Sequence, residues 1–231
     1  MFLSLVLALA ALSPVPPSPE VYFEQTTVTF TDGQPTGPGV LSRIWFAGQK
    51  MRLEAGALLP SPALILRLDR GRAFRLDPAE KVVLSVSLDD LRSRSQMDLS
   101  TAGDLMGGTA EGSARTKPLP GTKMVAGQIC RGFRIRSNTA IMDIYVTTAL
   151  PIGVDAFADF LDWSGANQSL GGFIGEIRNL TGFPMETRSR VSVLGHVQET
   201  ASTVTKVRLG RLDPSLFEPP PDYRVVAEPN P

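Results

Sequence analysis

The chain has little of what most enzymes are built from: one cysteine and one histidine in 231 residues. A lone Cys130 closes no internal disulfide, and Cys130 with His196 cannot complete tetrahedral zinc ligation. No CxxC pair suggests redox chemistry. Charge of one sign is also missing, because 23 Lys and Arg face 23 Asp and Glu. Without a net basic field to gather phosphates, nucleic acid is not an expected partner. The pairs Gly107-Gly108 and Gly171-Gly172 lack the lysine of a phosphate loop and the spacing of a dinucleotide fingerprint. A Ser-His-Asp arrangement around His196 is formally open. Yet there is no Gly-x-Ser-x-Gly elbow, and Gly195-His196 falls where a hairpin turn is expected. The adjacent Asp89 and Asp90 point in different directions on a helix, so capping and solvation explain them. No catalytic residue, metal or cofactor is assigned, and the chain is not expected to be an enzyme.

Long hydrophobic runs are absent as well, with one short exception. Met1 to Ser13 is apolar and is followed by Pro14-Val-Pro-Pro-Ser-Pro19. It is shorter than the ~20 residues that span a bilayer and fits a secretory signal core, although no Lys or Arg precedes Arg43. Ala8-Leu9-Ala10 supplies small residues for cleavage, and no cysteine lies nearby to carry a lipid anchor. The expected product is a periplasmic or secreted protein of the bacterial envelope, with no transmembrane segment after cleavage. Residues 1–19 are read as signal peptide and proline-rich linker, 20–224 as one domain and 225–231 as a tail. A hydrophobic content of 42% with 20% charged residues suits a globular chain.

What is there reads mainly as β structure with a few helices. Val21 to Thr31 is rich in β-branched and aromatic residues, and Asp32 to Gly39 is a loop by its glycines and prolines. Strands follow over Val40 to Ala47, Gln49 to Glu54, Ala63 to Asp69, Arg72 to Asp77 and Lys81 to Val86. Turn signals recur about every ten residues, the pattern of an antiparallel meander. Farther on, Ile129, Phe133 and Ile135 share one face of an extended chain, with Arg131 interrupting them. Cys130, Arg134 and Arg136 lie on the other face. After Ser137-Asn-Thr139 a second strand puts Met142, Ile144 and Val146 on one side and ends at Pro151. Strands return over Met185 to Leu194, Val197 to Thr203 and Val204 to Leu209. Glu218 to Tyr223 is proline-rich and should run extended along the surface. The three arginines 131, 134 and 136 are read as scattered surface charge in preference to an anion strip, and Cys130 as a buried small hydrophobe.

Three helical segments are expected. Ser87-Leu-Asp-Asp90 resembles a capping box opening a helix from Leu88 to about Arg94 that includes Leu91. Phe173, Ile177 and Leu180 recur at helical spacing, stopped by Gly182 and Pro184. The most regular amphipathic stretch is Val154 to Trp163, where Val154, Phe157, Phe160 and Leu161 oppose Asp155, Asp159 and Asp162. Phe157, Phe160, Leu161, Trp163 and Leu91 are the candidate ligand-binding residues. They either cover an apolar cavity between helix and sheet or seal a filled core, as interiors by default do.

Several short stretches carry a family resemblance. They are Val125 to Cys130, Ile144 to Pro151, Leu180-Thr-Gly-Phe-Pro184 and Leu212-Asp-Pro-Ser-Leu-Phe217 running on to Tyr223. In their order and spacing they resemble a bacterial secreted family of unknown function that is similar to the LolA/LppX-type lipoprotein carriers. That resemblance implies a curved antiparallel half-barrel with helices on its concave face, and no catalytic residues. It also implies a lipid or other hydrophobic small molecule held between sheet and helices. The alternative is a structural or sensing module with a filled interior that engages an envelope protein through its strand edges.

Overall fold

The computed structural model of the chain describes residues 20–56, 62–90, 114–137, 140–153, 173–193 and 196–227. Among the described residues thirteen strands form one sheet. Strand β1 (Glu20–Thr31) stands at its middle. From there β2 (Gln34–Pro35) turns back on β1, and β3 (Val40–Ala47), β4 (Lys50–Ala55), β5 (Ala63–Arg67), β6 (Arg72–Asp77) and β7 (Val82–Ser87) meander away. The chain then crosses to the far edge. There β8 (Arg115–Val125), β9 (Gln128–Arg136), β10 (Ala140–Thr147), β11 (Phe183–Val193) and β12 (His196–Leu209) meander back, until β12 pairs with the other side of β1. Among the described residues between β10 and β11 is a six-residue helix, α1 (Phe173–Arg178). Two-residue turns fix several registers: Asp32-Gly33 and Ala126-Gly127 both take positive φ at both positions, the geometry that matches strand twist.

The sheet is open and curved. On a flat sheet β8 and β12, four strand spacings apart, would be about 19 Å from each other, yet their backbones approach within 8 Å. Register shifts at Glu24/Gln25, Tyr145/Val146 and Pro118/Thr122 supply the extra local twist. The expected mainly-β curved half-barrel is therefore the observed architecture. Four details differ from the sequence reading. Thr205 is an extra residue opposite β1, so Val197 to Leu209 is one bulged strand and not two. Arg115–Val125 is an edge strand, where the sequence reading assigned no element before Met124. Leu68–Arg70 is a 3-10 turn that ends the third meander strand early. The last strand, β13 (Arg224–Ala227), pairs with β7 in parallel and is the one exception to the antiparallel order among the described residues.

Apolar residues are buried on both faces of the β3–β7 half, beside charged positions such as Arg52 and Glu54 of β4 and the exposed Arg75 of β6. Ile44, Phe46, Met51, Leu66 and Ala73 join Val21, Phe23, Phe183, Met185 and Cys130 in the largest core cluster. On the opposite face Ala63, Ile65, Leu76 and Val83 are covered by Phe217, with Leu212, Leu216 and Tyr223 packed around it. The proline-rich tail, expected to run extended along the surface, instead turns at Pro220–Tyr223, where Tyr223 N donates to Pro220 O at 3.1 Å, and with the residues before it forms a strap over apolar side chains. Asp213 caps its 3-10 turn (Pro214–Phe217), the carboxylate accepting from Ser215 N at 2.9 Å. Arg67, 3% exposed, anchors the strap by donating to Phe217 O at 3.3 Å and to Glu218.

A third cluster lies under α1. Ile135, Met142, Ile144 and Val146 of β9 and β10 meet Ile177 and Leu180. The expected helix with Ile177 and Leu180 on its buried side is present, and Thr116 of β8 donates to Glu176 to pin it. Ser87 Oγ accepts from Asp90 N at 2.9 Å, as the capping-box reading required, with Leu88 buried behind it.

Candidate functional site

Phe157, Phe160, Leu161, Trp163 and Leu91 all lie outside the described residues. So do the whole expected helix from Val154 to Trp163, the apolar N-terminal run and the two Gly-Gly pairs, and of the helix that Ser87 caps only the first turn is described. His196 opens β12 opposite Val193, next to the β11–β12 connection, where a hairpin turn was expected. Among the described residues no three His, Cys, Asp or Glu side chains gather as metal ligands, and no helix is long and apolar enough to cross a membrane.

The described concavity of interest is a cleft of about 810 Å³ between the β8–β9 hairpin, the end of β10 and the turn that follows α1. Alternation along β9 sends Ile129, Arg131 and Phe133 to its side, and Val146 of β10 pairs with Arg131. Leu180 closes the floor from the turn that follows α1, where its N–H donates to Ile177 O at 3.0 Å. The wall beside it depends on Gly182. At φ +117 a Cβ would meet Thr147 O at 2.5 Å, so only glycine lets the Leu180–Thr181 segment lie against the end of β10.

The lining divides by chemistry. Phe133, Val146 and Leu180 make an apolar floor that continues into the cluster under α1. Thr122, Gln128, Thr148, Asn179 and Thr181 provide a rim of neutral donors and acceptors. Arg131 is the one charged group in the lining, exposed, and no carboxylate pairs with it among the described residues. At the hairpin tip Met124 and Ile129 sit directly opposite each other on neighbouring strands, 62% and 64% exposed. Two bare apolar side chains thus flank the opening.

Toward the middle of the sheet the same face turns polar. Gln25 and Thr27 of β1, Ser202 of β12 and Thr187 of β11 separate the cluster under α1 from the largest one, with Thr27 and Ser202 hydroxyls 2.9 Å apart. A hollow of about 100 Å³ there is lined by Phe23, Gln25, Met185, Thr187 and Ser202. Among the described residues this polar belt interrupts the apolar surface between the cleft beside the β8–β9 hairpin and the largest cluster.

Arg134 and Arg136 point away from the cleft, on the other face from Arg131, so the three arginines form no single strip. Arg134 donates twice to Asp143, at 2.6 and 2.7 Å. Cys130 is fully buried in the largest cluster, its thiol pushed up by burial and donating to Gln128 O at 3.5 Å. The cleft residues are individually visible as alternating apolar positions in the sequence. Their meeting is not, because β8 and the turn after α1 have to be placed first. The trace they leave is Arg131, a charge in an otherwise apolar row.

The family model described as a domain of unknown function, DUF4412, matches residues 73–223. No curated protein sequence matches the chain. Among solved structures, an uncharacterized conserved protein from Thermus thermophilus is similar over 91% of each chain, at 11% identity and a TM-score of 0.47. PNGF-II is similar over 90% of this chain and 31% of its own, at 14% identity and a TM-score of 0.39. The LolA superfamily protein NE2245 from Nitrosomonas europaea is similar over 87% of this chain and 91% of its own, at 10% identity and a TM-score of 0.31. Likenesses this distant concern strand arrangement alone.

Proposed function

The chain belongs to the DUF4412 family, whose function is unknown, and from that premise we propose that it is a non-catalytic exported protein that binds the apolar part of a lipid or another hydrophobic molecule in the cleft beside the β8–β9 hairpin. The observation that carries this reading is an apolar floor of Phe133, Val146 and Leu180 left open in a space of about 810 Å³. That volume lies within the ~300–1,000 Å³ usual for small-molecule sites. Burying an acyl chain against such a floor gains about 0.8 kcal/mol per methylene, so a modest number of methylenes suffices for binding. The neutral rim and Arg131 suit the head of an amphiphile, with the guanidinium matching a carboxylate or phosphate. The apolar N-terminal run before Pro14 supports export to the periplasm or beyond.

The test is binding of a fluorescent long-chain fatty acid to the purified chain, beside mass spectrometry of hydrophobes extracted from it. Ile129→Glu and Thr148→Trp change exposed cleft residues without touching the core, and each should weaken binding at least tenfold. Arg131→Gln should weaken the fatty acid but not its methyl ester. Fatty-acid affinity unchanged in all three variants, with no co-purifying hydrophobe, overturns the reading in favour of a filled scaffold that works through protein contacts.

A further inference from the structure

We propose that the charged end of the β8–β11 face opposite the cleft, beyond the end where Cys130 is buried, docks on an anionic lipid surface. Two rows cross that face. In the first, Lys117, Arg134, Asp143 and Arg188 are successive cross-strand partners; in the second, Arg115, Arg136, Ile141, Arg190 and Glu199 are. Six cations thus face two carboxylates in a chain whose overall charge is zero. The sheet segregates its charge here.

The pairing makes the excess sharper. Asp143 is taken by Arg134, and Glu199 is shared by Arg188 and Arg190, with donor distances of 2.6 Å to each of its oxygens. Arg115, Lys117 and Arg136 have no carboxylate partner among the described residues. Moreover, Arg115 lies directly opposite Arg136, and Lys117 opposite Arg134. Like charges directly opposed on neighbouring strands destabilise a sheet, and an external anion removes that repulsion. Between Arg136 and Arg190 the face dips into a hollow of about 440 Å³, with Ser137 and Ser192 on its wall. Two guanidiniums and two hydroxyls there match one phosphate group.

The shape selects the partner. With strands about 4.8 Å apart, the two rows cover roughly 15 Å by 7 Å, a broad patch and not a track for one extended strand. Neither row carries an aromatic ring between β8 and β11 on which nucleic-acid bases would stack. A surface of phosphate head groups presents anions in two dimensions, as this face presents cations. The proposal goes beyond the cleft reading and does not depend on it, since docking is read with no molecule in the cleft.

The experiment is co-sedimentation of the full chain with vesicles of equal parts phosphatidylcholine and phosphatidylglycerol, against phosphatidylcholine alone. Binding should be confined to the anionic vesicles and fall away as salt shortens the reach of charge. Each cation near an anionic surface contributes enough that Arg115→Gln and Arg136→Gln should each weaken docking roughly fivefold. Neither residue is paired with a carboxylate among the described residues, so thermal melts should stay unchanged. Arg75→Gln, exposed on β6, should dock as the parent does. Equal binding to both vesicle types, unaltered docking of the Arg115 and Arg136 variants, or binding to an acidic protein or RNA but not to vesicles overturns the proposal. Failure of fatty-acid binding alone leaves it standing.

Discussion

The ring of Tyr145 on β10 lies across Gly132 of β9, its register partner, so closely that a Cβ at Gly132 would sit 2.8 Å from Tyr145 Cε1. Leu119 closes on the same point from β8, at 3.1 Å. A missing side chain on one strand is filled by an aromatic from the next, which restores packing that a strand glycine forfeits. Gly132→Ala should therefore destabilise the fold by about 1–3 kcal/mol through overpacking, although alanine is otherwise the better strand residue. Urea denaturation of the parent and variant checks this. Equal midpoints would mean that the ring moves aside freely.

The C-terminal strap hangs on Arg67. Its guanidinium donates to both oxygens of Asp69, at 2.8 and 2.7 Å, and reaches across to Phe217 O and Glu218. Burial alone raises the Glu218 carboxyl, but the Arg67 and Arg70 guanidiniums outweigh it and hold it below its ordinary value. Arg67→Ala should cost about 3 kcal/mol, the usual result of removing one partner from a buried pair. It should also loosen residues 210–223 before the rest unfolds. Limited proteolysis should then cut that segment in the variant and spare it in the parent.

Cys130 should be inert in the folded protein. It has no exposed surface and its thiol is pushed up by burial, so little thiolate forms and none is reachable. Reaction with a disulfide reagent should be slow in native buffer and complete at once in denaturant. A native rate close to that of a free thiol would place Cys130 at the surface, contrary to its burial in the largest core cluster.

The parts legible in the sequence are those whose local chemistry agrees with their final place. Arg72 to Asp77 is legible to the residue because alternation and Gly71, at φ 62, both announce the preceding turn. Strand β8 is hidden because Pro118, Pro120 and Gly121 look like breakers. At a sheet edge the missing N–H can face outward, so proline costs little there, and the register shift between Pro118 and Thr122 absorbs the rest. β12 reads as two strands divided at Thr203 because its alternation slips at Thr205, and no single-strand pattern announces a bulge set by the partner. The tail looks like surface because its prolines forbid a ladder; that Phe217 and Tyr223 cover Ile65 and Val83 depends on a face formed about 140 residues earlier. The cleft has a sequence trace in Arg131, but charge in an apolar row marks an opening only once the neighbouring strands are known.

Glu199 links stability to the charge of the face opposite the cleft. It is 9% exposed, and the hydrogen bond from Arg188, reinforced by Arg190, holds its carboxyl below the ordinary value despite burial. Between the folded and ordinary values the unfolded chain takes up a proton that the folded chain refuses. Its contribution is therefore complete above the ordinary carboxylate range, near pH 4.3, and is lost as pH falls through the folded value. Asp69, Glu24 and Glu218 are shifted the same way and add the same sign. Glu199→Gln should cost about 2 kcal/mol at neutral pH, the scale of a hydrogen bond to a charged group, and the gap to the parent should close in acid. Denaturation midpoints between neutral and acid pH measure that convergence; a constant gap would mean that packing, not ionisation, sets the cost. The same substitution frees Arg188 and Arg190, so vesicle docking should tighten while the fold weakens. A general loss of structure would weaken both, which separates the two causes.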